Sequence, residues 1–169
     1  MKLFHVSEEA HIDSFVPRHP KLKEASSPSL VWAINTRCLP NYLTPRDCPR
    51  VTYHAHKASS SEDIASFFIS SARHCVAIEF DWYKMMTKTS LYLYELDPSN
   101  FYLYDEVAGY YVSEQIEYPL SMTRVDDPFA QLFSRNVEIR ILPNLRELAN
   151  SVQQSTLNWS FIRMINAKP

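Results

Sequence analysis

The chain has 169 residues, 46% of them hydrophobic, a length and apolar content that suit one domain with a substantial core. A net charge of -2 with 21% charged residues lacks the basic footprint of a dedicated nucleic-acid binder, so bulk DNA or RNA binding is not expected. There is one glycine, against an average usage of about 7%, and this excludes the glycine-rich phosphate loop, the GxGxxG dinucleotide turn and the GxSxG nucleophile elbow.

The first expected strand holds Phe4-His5-Val6-Ser7. From His19 to Ser29 the chain is polar and punctuated by Pro20 and Pro28, which reads as a long surface loop of the kind that borders binding sites. Leu30 to Ile34 reads as a short buried strand, and Arg37 to Leu43 as a brief helix with Pro40 in its first turn that stops before Pro45. Arg50 to Tyr53 is the next strand. Ser60 followed by Asp63 resembles a capping box, and Ile64, Phe67, Phe68 and Ser71 keep helical spacing after Glu62.

His74 to Phe80 reads as a strand, Asp81 to Met86 as one or two helical turns, and Leu91 to Leu96 as a strand with Tyr92 and Tyr94 opposite Leu91, Leu93 and Glu95. Its alternation of aromatic and aliphatic side chains marks a sheet covered on both faces. Phe101 to Tyr104, Tyr110 to Ser113 and Ile116 to Val125 continue the strands, with Gly109 at the place where a positive φ is cheap. Asp127-Pro128 is a helix start, since aspartate caps and proline fits the first helical position. Val137 to Leu142 is a strand, Leu145, Leu148, Ala149 and Val152 form one face of a helix beginning near Pro143, and Trp159 to Ile165 is a closing strand. The class expected is α+β, a split mixed or antiparallel sheet with peripheral helices, in a single domain over 1–169.

Three widely spaced cysteines, Cys38, Cys48 and Cys75, suit neither a disulfide framework nor a paired-cysteine zinc ribbon and read as buried reduced thiols. With no apolar leader after Lys2 and no apolar run near the roughly 18 residues of a membrane span, a soluble cytoplasmic protein is expected.

The functional lead is His5. An imidazole on a central strand can bond a ribose hydroxyl while the fold fixes its other nitrogen, and a nearby glutamate can assist at the sugar carbon. An aromatic on the neighbouring strand offers a flat surface for a base or a nicotinamide ring. His5, Trp32 and Glu114 supply these three groups.

Phe4-His5-Val6-Ser7 resembles the first-strand histidine motif of the histidine-tyrosine-glutamate class of ADP-ribosyltransferase-like proteins. Leu30-Val31-Trp32-Ala33-Ile34-Asn35 is similar to that class's second motif, with Trp32 where tyrosine is usual. Glu114 in Tyr111-Val112-Ser113-Glu114-Gln115-Ile116-Glu117-Tyr118-Pro119 resembles the third. The resemblance implies cleavage of the nicotinamide–ribose bond of NAD as substrate, with no further cofactor required. In that chemistry His5 and Glu114 would be catalytic, Glu114 stabilising an oxocarbenium-like transition state, and His5, Trp32, Tyr110, Arg46 and Arg50 would contact the ligand, the arginines through its pyrophosphate. The opening strand, Leu39-Pro40-Asn41-Tyr42-Leu43, Pro45-Arg46-Asp47-Cys48-Pro49-Arg50 and Arg140-Ile141-Leu142-Pro143-Asn144-Leu145 also resemble a small bacterial family of unknown function.

Two rival readings stand beside this one. His54-Ala55-His56 puts two imidazoles on one strand face, and His74 or Cys48 could complete a metal site. Ten tyrosines, nine phenylalanines and three tryptophans fit a non-catalytic homodimeric interaction module.

Overall fold

The computed structural model describes residues 1–19 and 28–169. The strands are β1 (Leu3–Ser7), β2 (Val31–Asn35), β3 (Arg50–His54), β4 (His74–Glu79), β5 (Leu91–Leu96), β6 (Tyr102–Asp105), β7 (Tyr110–Ser113), β8 (Pro119–Val125), β9 (Glu138–Leu142) and β10 (Asn158–Ile162). The helices are α1 (Ser61–Phe67), α2 (Tyr83–Met86), α3 (Pro128–Ser134) and α4 (Arg146–Gln153). The class is α+β, as expected. Most of the loop expected between His19 and Ser29 lies outside the described residues.

The chain divides into two compact units, one of Met1–Leu39 with Leu91–Val125, the other of Pro40–Ser90 with Asp126–Pro169. The first holds a sheet in the order β6-β7-β2-β1-β5-β8, its described pairs all antiparallel. β1 pairs with β5 along its whole length, from Leu3–Leu96 to Ser7–Tyr92. With β2 it pairs only at Leu3–Asn35 and Phe4–Ile34, so the sheet splits beyond Phe4.

Directly paired residues share a face of an antiparallel sheet and successive residues alternate. Leu3, Val31, Ala33, Tyr94 and Leu96 therefore lie on the face of His5 and form a buried cluster under Phe15, joined by Ile12, Tyr92, Phe101 and Tyr111. Each aliphatic side chain fully withdrawn from water there contributes about 1.5–3 kcal/mol. Trp32, Ile34, Tyr110 and Val112 take the other face.

Gly109, in the turn from β6 to β7, has φ +71. Its carbonyl accepts from Asn35 N at 3.0 Å and closes the turn on the end of β2. A Cβ there would lie 2.8 Å from Asn35 Oδ1 and from Cys38 Cβ and Sγ, so both conformation and space demand glycine.

The second unit holds the order β10-β3-β4-β9, with β3 antiparallel to both neighbours and β9 parallel to β4. Val51, Tyr53, Cys75 and Ala77 of the sheet pack with Phe68, Leu157 and the Leu145, Ala149, Val152 stripe of α4. Ser60 caps α1 by accepting from Asp63 N at 3.1 Å, and Asp127 caps α3 by accepting from Ala130 N at 2.9 Å. Both starts are those the sequence marks.

Four boundaries differ from expectation by three or more residues. α1 ends at Phe67, and Phe68 turns extended (φ -121, ψ 121) to put its ring 5.4 Å from that of Tyr53. α4 begins at Arg146, where Asn144 Oδ1 accepts from the Arg146 amide at 2.6 Å. β8 begins at Pro119, because Glu117 is taken up in a separate bridge to Phe15. β10 ends at Ile162, where Arg163 adopts left-handed backbone (φ 55) before a 3-10 turn.

Candidate functional site at the parting of β1 and β2

Where β1 leaves β2, the imidazole of His5 takes up the ladder's lost partner: its Nδ1 lies 3.0 Å from the carbonyl oxygen of Trp32. A carbonyl only accepts, so Nδ1 carries the proton, and in the neutral form of the ring the acceptor pair would then be on Nε2. The ring of Phe15 packs on His5 with centroids 4.7 Å apart, and on Tyr94 at 5.4 Å. Phe15 is held by two backbone bonds with Glu117, donating at 2.8 Å and accepting at 3.0 Å. Tyr94 Oη donates to the Glu9 carbonyl at 2.8 Å and accepts from Ile12 N at 3.2 Å, which lays the segment after β1 over this face.

The other face gathers aromatics. Trp32 meets Tyr104 edge-on at 4.9 Å and Tyr110 at 5.4 Å. Tyr102, opposite Val112 in the β6–β7 pairing, shares that face, and its hydroxyl donates to Glu114 Oε1 at 3.2 Å. Desolvation, then the Glu114 carboxylate, push that hydroxyl above its ordinary range. Glu114 is otherwise exposed.

Strand alternation thus puts the indole, Tyr110 and Glu114, which is hydrogen-bonded to Tyr102, on one face of the sheet and the imidazole on the other. His5 is linked to Trp32 through the Trp32 backbone carbonyl. The carboxylate on the His5 side is Glu117, 4% exposed, which accepts from Ser113 Oγ at 2.5 Å. Ser113 lies opposite Val31 and shares the His5 face. Parity along β7 marks Ser113 in the sequence; Glu117 lies outside any strand and carries no periodic signal.

Arg46 and Arg50 belong to the second unit. Arg46 is exposed, whereas Arg50 is buried, its Nε donating to the Asn41 carbonyl at 2.7 Å and Nη1 to that of Cys48 at 2.8 Å, with its guanidinium 5.4 Å from the centre of the Tyr42 ring. These bonds brace the Asn41–Cys48 segment.

The histidines considered for metal are spent on protein groups. His74 Nε2 lies 2.7 Å from Asn41 Oδ1, His54 Nε2 lies 3.4 Å from Asn158 Nδ2, and the two rings are 5.2 Å apart. β3 ends at His54, so His56 does not share a strand face with it; His56 Nε2 donates to the Thr156 carbonyl at 2.9 Å. Among the described residues no three His, Cys, Asp or Glu side chains are gathered as a metal site. The cysteines are buried, which pushes Cys38 up and Cys48 and Cys75 each up to about 12, a setting that suppresses thiolate chemistry. Among the described residues no helix is long and apolar enough to cross a membrane.

Residues 4–167 match the model of a family of unknown function, DUF6886. No curated protein and no solved structure matches the chain.

Proposed function

The chain belongs to the family of unknown function DUF6886, and from its own geometry we propose that it binds NAD or a related nucleotide, in the manner of an ADP-ribosyltransferase-like protein, where β1 and β2 part. The observation that supports this most is His5 at the split, with Nδ1 fixed by the Trp32 carbonyl. With the proton on Nδ1, Nε2 of a neutral ring has acceptor character, the role a ribose hydroxyl requires. The cationic nicotinamide ring suits the Trp32–Tyr110 aromatics, whose sheet face also carries the Glu114 carboxylate on Tyr102. Beyond Phe4 the β1–β2 ladder gives way to the contact of His5 Nδ1 with the Trp32 carbonyl, and it is at this parting that the nucleotide would bind. In catalysis Glu114 would offset positive charge developing on the ribose.

Calorimetric titration with NAD tests binding, and nicotinamide release tests chemistry. His5→Ala and Trp32→Ala are each expected to weaken binding, and Glu114→Gln to lower release while sparing binding. The proposal fails if wild-type protein shows no heat of binding at millimolar NAD, and its catalytic part fails if Glu114→Gln releases nicotinamide at the wild-type rate.

The alternative, a non-catalytic homodimeric module, draws on β8, the outermost strand of its sheet, where Leu120 and Met122 are exposed beside the likewise exposed Tyr118. A strictly monomeric mass by light scattering at high concentration removes it.

A further inference from the structure

We infer that Glu117 and Ser113 act as positioning residues for His5, a role that rests on the reading of His5 as a ligand-binding imidazole. A relay of contacts through Phe15 connects them. The Glu117 carboxylate is buried, an arrangement that costs free energy unless the charge is met by a donor, and Ser113 Oγ supplies one at 2.5 Å. The same hydroxyl accepts from Gln115 N at 3.1 Å. The two bonds together fix the turn that leaves β7 and set the main chain of Glu117. That main chain holds Phe15 by a bond in each direction, at 2.8 and 3.0 Å.

Phe15 in turn lies 4.7 Å from the imidazole of His5, and its ring bounds the plane in which Nδ1 can meet the Trp32 carbonyl at 3.0 Å. The carboxylate does not touch the imidazole; it acts through the turn, the bridge and the phenyl ring. What it secures is the ring orientation that keeps Nδ1 on the Trp32 carbonyl.

The nitrogen shifts of the His5 ring, measured by NMR on ligand-free protein, report this directly, since they distinguish a proton on Nδ1 from one on Nε2. Wild-type protein at neutral pH is expected to show His5 as a single Nδ1–H tautomer. Glu117→Gln, which retains an oxygen able to accept from Ser113, should keep it. Glu117→Ala, and the milder Ser113→Ala, should give mixed tautomers and weaken NAD binding roughly tenfold. A single Nδ1–H tautomer in folded Ser113→Ala overturns the inference, as does an Nε2–H tautomer in wild-type protein, a measurement that needs no variant to fold. If wild-type protein binds no NAD while the tautomers behave as stated, the nucleotide reading fails and the positioning stands.

Discussion

Substituting the glycine tests how β6, β7 and β2 are joined. In Gly109→Ala the new methyl must share space with Cys38 Cβ and Sγ and Asn35 Oδ1, all at 2.8 Å, and the residue must hold φ +71. Left-handed backbone costs a non-glycine residue about 1–2 kcal/mol. Forcing a methyl into filled space costs about 1–3 kcal/mol more. Neither neighbour yields easily: Cys38 is buried and Asn35 Oδ1 is occupied by the Cys38 amide at 3.0 Å. A loss of about 2–5 kcal/mol in a chain of this size lowers Tm by about 5–15 °C. Calorimetric melting of wild type, Gly109→Ala and the double variant with Cys38→Ala reads the effect. The double variant should recover only part of the loss, since alanine keeps the Cys38 Cβ. A single-variant loss below about 0.5 kcal/mol, the range of ordinary surface changes, refutes the account.

Ser60→Ala removes the cap that accepts from Asp63 N and should cost about 1 kcal/mol in urea unfolding. Asp63 is held below the usual carboxylate range by its bonds from Thr156 and then from Ser60, so its contribution is present above that range and lost as pH falls through its folded pKa. The stability gap between wild type and Asp63→Asn should therefore close in acid; a gap that persists at low pH contradicts this. Cys48 and Cys75 behave oppositely: burial raises each to about 12, so the stability due to the neutral thiols is intact below the ordinary value of 9.0 and falls between there and about pH 12. The loss is up to about 4 kcal/mol per thiol, and Cys48→Ala should flatten the alkaline side of the stability profile. The thiols of native protein should resist iodoacetamide at pH 8 and react once unfolded.

What the sequence discloses here is local, and what it hides depends on pairing. Asp127-Pro128 announces α3 because cap and first turn are adjacent residues, and the stripe through Leu145, Ala149 and Val152 announces α4 because a helix repeats within itself. Phe68 keeps helical spacing after Ile64 yet turns extended, because its ring packs on Tyr53 of β3, outside its own helix. Arg163 takes a left-handed conformation that no glycine advertises. His5, Trp32 and Glu114 are each legible as strand or strand-end residues. Which face each occupies follows from Leu3 meeting Asn35 and Trp32 meeting Val112, and those registers are long-range facts.

The position of Trp32 makes that separation measurable. Its side chain belongs to the aromatic face with Tyr104 and Tyr110, while its carbonyl serves His5 on the other side. A substitution at 32 removes the first contribution and spares the second, because every residue brings a carbonyl. Trp32→Ala should therefore leave His5 as the Nδ1–H tautomer and yet weaken NAD binding roughly tenfold, the loss of one stacking partner. His5→Ala should do the reverse, leaving the aromatic cluster in place while removing the acceptor for the ribose. If Trp32→Ala disorders the His5 ring, indole and imidazole are one packed unit, and the assignment of two faces to two ends of the ligand is wrong.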